Sequence, residues 1–379
     1  MIYLDNNGTT LLDSRLREDF LCFHSPSLPI NASSMHAYGR IGQNMLYQAR
    51  ERIARILQVS PGEVFFSSGA TESLNFILRG IAEFIRGREV LTTGLEHPAV
   101  LHTLEDLRRK SLVTIRKLPV DRRGYVLPED IEAAISPQTA LLVLMAANNE
   151  TGVQMDWHSV AALAHRRSLL FVVDGVASFG KEAWRGIPPG VSAFCLSGHK
   201  IHGPQGVGLC FVHRSVQLPS LLTGGGQEWG KRAGTENLWA IRALSLAVQY
   251  AVEEEERIQR IEKYRDHLEK RLLGEISDLS LNGQGARVCN TCNLYFSGIS
   301  AEDLLMRLDE QGVLASHGSS CSNGLWELSH VLLEMGYERE RVASSVRFSL
   351  SKDNTFEEID RAVDQIKNTV IELRKWKCI

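Results

Sequence analysis

Alternation makes this chain read as an α/β protein with a largely parallel sheet. From about residue 60 to 215, short apolar runs take turns with segments of helical period. The most apolar runs show no polar alternation, as expected of strands covered on both faces by helices. Several of these runs end directly in polar or titratable residues, and ligands of open α/β sheets bind at the carboxyl ends of strands. A chain of 379 residues exceeds one small core, so two domains are expected.

In chain order, "EVFFSSG" (63–69) predicts a strand and leads into a helix with Leu74, Ile77, Leu78 and Ile81 on one face. "REVLTTG", "ALLVLMAANN", "LLFVVDG", "AFCLSG" and "GVGLCFV" predict further strands, and Trp157–Arg167 is a connecting helix. Residues 244–273 carry one long helical pattern whose charged second half crosses between domains. "TCNLYFSG", "AEDLLMRLDEQG", "VLASHG", "LSHVLLEMG" and "SSVRFSL" then alternate again. A last helix lines up Phe356, Ile359, Val363, Ile366, Val370 and Leu373 as one buried stripe. The expected division is a large domain over 13–256, with 1–12 and 257–379 forming a small one.

Composition excludes several classes. A net charge of -3 gives no electrostatic reason to expect nucleic acid. "MIYLDNN" does not begin a signal peptide, and runs such as "LLVLMAA" are far short of the roughly 20 residues of a membrane span. A cytoplasmic protein is expected. Seven scattered cysteines do not form a secreted disulfide framework. Cys289 and Cys292 make the one C-x-x-C pair, but a strand follows and no second pair exists, so no metal site is expected.

The polar residues at strand ends carry the chemistry. Lys200 follows "AFCLSG" at a glycine-flanked turn, although lysine rarely sits inside a protein unpaired. Asp174 directly follows five apolar residues, where its charge needs a partner. His97 and Asn148-Asn149 also stand at strand exits. Ser68-Gly69-Ala70 opens a helix at Thr71, and the free N–H groups of such a start suit a phosphate. Pyridoxal phosphate requires a lysine for its aldehyde, an acid facing its ring nitrogen and a phosphate cup. Lys200, Asp174 and the Thr71 helix start supply the three.

These residues lie within a longer series: "YLDNNGTT", "NASSMHAYGR", "SSGATESLN", "LEHPAV", "NNETGVQ", "VVDG", "SGHKIHGPQGVG", "GGGQEWGKRAGTEN", "ASHGSSCSNG" and "SSVRFSLSKDNT". In that order they resemble the cysteine desulfurases of the NifS/IscS-like group, within the class V aminotransferases of pyridoxal-phosphate fold type I. The resemblance implies a seven-stranded, mostly parallel sheet in the large domain and a small α/β domain built from both termini. It implies that Lys200 bonds to the cofactor and shuttles protons, that Asp174 faces the ring nitrogen, and that His97, also catalytic, stacks on the ring and helps in proton transfer. Ala70, Thr71, Ser197 and His199 would bind the phosphate, with Thr235 reaching over from a second subunit of a homodimer. Asn149 contacts cofactor and substrate, and Arg347 orients the substrate carboxylate. Cys321, in the Gly/Ser loop "HGSSCSNG", would carry sulfur taken from L-cysteine as a persulfide. His317 is a candidate to take its proton, with a surface histidine as the plainer alternative.

The implied activity is conversion of L-cysteine to L-alanine, feeding sulfur to an acceptor protein for iron–sulfur cluster assembly or tRNA thiolation. Selenocysteine lyase, cysteine-sulfinate desulfinase and a weakly active sulfur carrier are the alternatives. The sequence departs from the family at Ala177, where a glutamine usually bonds the cofactor's phenolic oxygen. An altered cofactor spectrum is expected from that change.

Overall fold

The computed structural model describes residues 1–23, 29–318 and 327–376. Twelve strands are present among them: β1 (Ile2–Tyr3), β2 (Val64–Ser67), β3 (Glu89–Thr93), β4 (Thr114–Leu118), β5 (Thr139–Met145), β6 (Leu170–Asp174), β7 (Ala193–Ser197), β8 (Gly208–Val212), β9 (Leu279–Leu281), β10 (Thr291–Phe296), β11 (Val313–Leu314) and β12 (Ser345–Ser349). Seven of them form one sheet in the order β2-β8-β7-β6-β5-β3-β4. Its pairs are parallel from β7 to β4, while β8 runs antiparallel to both β7 and β2. Such a sheet needs apolar cover on both faces, and two cores supply it. One packs Leu142, Leu144, Phe171, Val173, Phe194 and Leu196 beneath helices that include Ala37–Leu57 and Leu238–Glu253. The other packs Val90, Leu141, Val143, Val172 and Cys195 against Ala70–Phe84 and Pro98–Arg109. The side chains alternate between the cores as the two-residue period of a strand requires.

A third core unites the two ends of the chain. Ile2 and Leu4 share it with Leu268, Leu294, Leu304, Val346, Phe348 and the buried stripe Ile359, Val363, Ile366 and Val370. The β1 strand lies parallel to β11, and β10 pairs antiparallel with β12 and β9. The last helix runs Phe356–Trp376, but its first expected core residue lies outside: Phe356 is exposed, with its ring against His267.

The long helix expected over 244–273 is two helices, Leu238–Glu253 and Glu256–Glu275. The break falls in the run of four glutamates 253–256, where like charges oppose continuation. Arg257 secures it from inside: its Nη2 donates to Ala251 O at 2.8 Å and to Gly180 O at 2.9 Å. No helix among the described residues is long and apolar enough to cross a membrane.

Candidate active site

The carboxyl ends of the parallel strands open into a cavity of about 530 Å³. Ala70, Thr71, His97, Asn149, Asp174, Ser197, His199, Lys200 and Arg347, all expected from sequence, line it. Asp174 is the last residue of β6 and Ser197 the last of β7, so the sheet register sets both. A short helical turn, 198–200, then carries Lys200 inward. Arg347 reaches the cavity from the middle of β12, so the chain-end core contributes one wall.

Among the described residues no carboxylate is bonded to Lys200. Its Nζ donates to the backbone carbonyls of Asn7, at 2.5 Å, and Gly8, at 2.7 Å. Burial, reinforced by the Arg347 charge, lowers the amine to about 8. Asp174 is 5% exposed; its Oδ1 accepts the Val176 N–H at 3.0 Å. Burial raises its carboxyl above the usual range, while His97 and the backbone bond oppose that rise. His97 caps the helix Pro98–Arg109, its Nδ1 accepting the Ala99 N–H at 3.0 Å. Desolvation by the surrounding wall lowers this imidazole, and Asp174 partly restores it. Burial thus disfavours the charged form of both groups, while the charge of each favours the ionised form of the other.

Opposite, the helix Ala70–Phe84 begins at Gly69 with no side-chain cap. Gly69, Ala70 and Thr71 at that start line the cavity together with Ser197 and His199, and the free N–H groups of a helix start favour a bound anion. The backbones here are in close contact: a Cβ on Gly208 would lie 2.6 Å from Gly69 Cα and 2.7 Å from Leu196 O. Glycine is required at that point for the helix start to sit on the β7–β8 edge.

Sequence reasoning missed four members of the site. Asn7 is the hub. Its carbonyl holds Lys200, its Oδ1 accepts Lys181 Nζ at 3.1 Å, and its Nδ2 donates to Asn149 O at 3.0 Å. Lys181 is a second buried cavity lysine, lowered to about 7 by burial and by the charge of Lys200. Asp5 pairs with Arg347, Oδ1 to Nη2, at 2.7 Å. Glu96 lies behind His97, wholly buried, its Oε1 accepting the Thr93 hydroxyl at 2.8 Å; burial pushes its carboxyl up to about 8. The only sequence signal for Asn7 and Asp5 was their place in "YLDNNGTT", far from the strand ends that guided the search.

Other expectations resolve differently. Thr235 is exposed on the loop before the helix Leu238–Glu253 and does not line the cavity of its own chain. Cys321 lies outside the described residues. His317 is buried rather than superficial, its Nδ1 2.9 Å from Ser345 O. Ala177 lines the cavity beside Ala147 and Val288. Cys289 and Cys292 are both buried free thiols, raised by burial. No cluster of three or more metal-binding side chains occurs among the described residues.

Residues 2–362 match the model of the family described as aminotransferase class-V. The chain belongs to that family. It is 36% identical to a cysteine desulfurase of Gluconacetobacter diazotrophicus over 99% of this chain and 94% of the relative. It is 33% identical to the cysteine desulfurase IscS of Clostridium botulinum, covering 99% and 95% of the two. Among solved structures it is similar to a NifS-like protein, with a TM-score of 0.91 and 34% identity over 98% of this chain and 100% of the other. It also resembles SspA, solved in complex with cysteine, with a TM-score of 0.80 and 28% identity over 92% and 99%. The fold is therefore that of the fold type I pyridoxal-phosphate enzymes, as the seven-stranded sheet indicates.

Proposed function

We propose that the protein is a pyridoxal-phosphate-dependent cysteine desulfurase that converts L-cysteine to L-alanine and retains the sulfur as a persulfide on Cys321. The observation that carries this reading is one cavity holding a depressed lysine amine, a buried carboxylate at a strand end, an uncapped helix start and a buried arginine. The residues fit the cofactor. Among the described residues Lys200 bonds to backbone carbonyls alone and remains available to an aldehyde. Asp174, desolvated, suits a cationic ring nitrogen. Ala70, Thr71, Ser197 and His199 surround the seat that a phosphate requires.

When bound, pyridoxal phosphate supplies an electron sink that lets the substrate's Cα–H bond break. Asp174 would hold the ring-nitrogen end of the cofactor, and His97 would lie against its ring. Arg347 and Asn149 orient the substrate carboxylate. The Lys200 amine, neutral in useful amount because its pKa is low, accepts the Cα proton and redelivers it. The Cys321 thiolate is the nucleophile. The substrate's C–S bond breaks as an S–S bond forms on Cys321, and the proton given up by the thiol ends on the alanine methyl group. Cysteine plus enzyme thiol thus becomes alanine plus enzyme persulfide, with no outside oxidant.

The exposure of Thr235 in its own chain supports a homodimer in which that residue completes the neighbour's phosphate seat. The persulfide then passes to an acceptor protein for iron–sulfur cluster assembly or tRNA thiolation in the cytoplasm. The test is to incubate cofactor-loaded protein with L-cysteine and quantify alanine and protein-bound sulfane sulfur. Alanine production with sulfur lost in Cys321→Ser is expected. Sulfane sulfur persisting on that variant, or no alanine from the parent protein, refutes the reading. Selenocysteine run in parallel separates desulfurase from lyase.

A further inference from the structure

The substrate-facing arginine is already engaged by an acid of its own chain. Arg347 is 3% exposed. Its Nη1 is used by the carbonyls of Asn149, at 3.0 Å, and Gly318, at 3.1 Å. Its Nη2 donates to Asp5 Oδ1 at 2.7 Å. Its Nε is buried and has no hydrogen-bond partner among the described residues. Nε and Nη2 share the guanidinium edge on which a carboxylate can lie with both oxygens bonded. Asp5 occupies only one end of that edge and leaves a buried donor unsatisfied, an uncommon condition in folded proteins.

The backbone of Asp5 is held in place. Its carbonyl accepts the Tyr3 hydroxyl and the Gly8 N–H, both at 3.0 Å, and the next residue's N–H bonds to Ser349 O at 3.1 Å. The carboxylate fits because residue 8 has no side chain: a Cβ there would lie 2.5 Å from Asp5 Oδ2. The Asp5 side chain is 28% exposed, so it can yield to an incoming carboxylate without opening the fold.

We propose that Asp5 is a specificity-determining residue, an internal carboxylate that competes with the substrate's for Arg347 and so weakens the site's hold on amino acids. The inference rests on the desulfurase reading for the identity of the substrate, and on the Arg347 geometry alone for the competition. Occupancy by Asp5 keeps the buried guanidinium paired between turnovers. A substrate carboxylate that spans Nε and Nη2 displaces it by making two bonds where Asp5 makes one.

The test uses Asp5→Asn, with Asp5→Ser as a smaller companion. In the cofactor-loaded enzyme, KM for L-cysteine should fall about three- to tenfold, the range of a partly screened ion pair, with kcat changing less. Inhibition by cysteamine, which lacks a carboxylate, should not change. In the cofactor-free protein, calorimetry with 3-mercaptopropionate should show its Kd lowered by a similar factor. An unchanged KM and Kd overturn the proposal. Raised values overturn it too, by showing that Asp5 orients Arg347 rather than competing for it. If the parent enzyme makes no alanine, the desulfurase reading fails while the 3-mercaptopropionate result still decides the role of Asp5.

Discussion

Replacing Arg347 by glutamine should slow the reaction of the Lys200 amine at neutral pH by returning it toward the ammonium form. Burial first, and the Arg347 charge next, hold that amine at about 8 instead of its ordinary 10.5. At pH 7 roughly one Lys200 in ten is then neutral, against roughly one free lysine in three thousand. Arg347→Gln leaves the burial in place, so only part of the shift is lost. It also releases Asp5, whose carboxylate favours the ammonium. The midpoint therefore moves upward from about 8 toward 10.5, and each pH unit it rises cuts the neutral fraction about tenfold, about 1.4 kcal/mol. Competitive labelling of the cofactor-free protein with an amine reagent across pH, read on the Lys200 peptide by mass spectrometry, measures the midpoint directly. A parent midpoint near 10.5, or a variant midpoint unmoved or lower, would refute the electrostatic account.

Asp174→Asn keeps the side chain's shape but removes the charge a cationic ring nitrogen needs, so kcat/KM should fall about a hundredfold or more with the fold intact; a near-normal value contradicts its role. Glu96, held at about 8 against an ordinary 4.5, keeps in the native state a proton that the unfolded chain releases. Stability should therefore decline as pH rises from 4.5 to 8, and Glu96→Gln should flatten that decline, gaining a few kcal/mol at pH 8 in urea titrations. Parallel profiles for the two proteins would show that Glu96 is not protonated in the fold. Cys289, pushed up to about 11, and Cys292, raised well above its ordinary value, are both buried. Both should resist iodoacetamide until the protein is denatured, and rapid labelling of the native state would reopen the C-x-x-C pair as a reactive site.

Most of the sheet was legible because its central strands are uninterrupted apolar runs, such as 140–145 and 169–173, that end in polar residues. The edge strand β4, Thr114–Leu118, escaped because Arg116 and Lys117 break its apolar pattern, as edge strands permit. The 21-residue helix Ala37–Leu57 was also missed: several of its buried positions are Gly39, Gly42, Ala49 and Ala54, too small to mark a stripe. Within the site, residues at strand exits could be found by rule. Asn7 and Lys181, which line the cavity, and Asp5, which pairs with Arg347 there, could not, since contacts across the chain bring them together and no local pattern sets those contacts. The break at 253–256 was hidden because each half has good helical composition and only the buried Arg257 shows where the first helix must end.

Reduction of the cofactor-loaded protein with borohydride, followed by peptide mapping, tests the central claim most directly. Two lysines line the cavity among the described residues, and Lys200 is the one carried by the turn 198–200 that follows β7. The pyridoxyl label should fall on the peptide containing Lys200. A label on Lys181, or on no cavity lysine, would contradict the account.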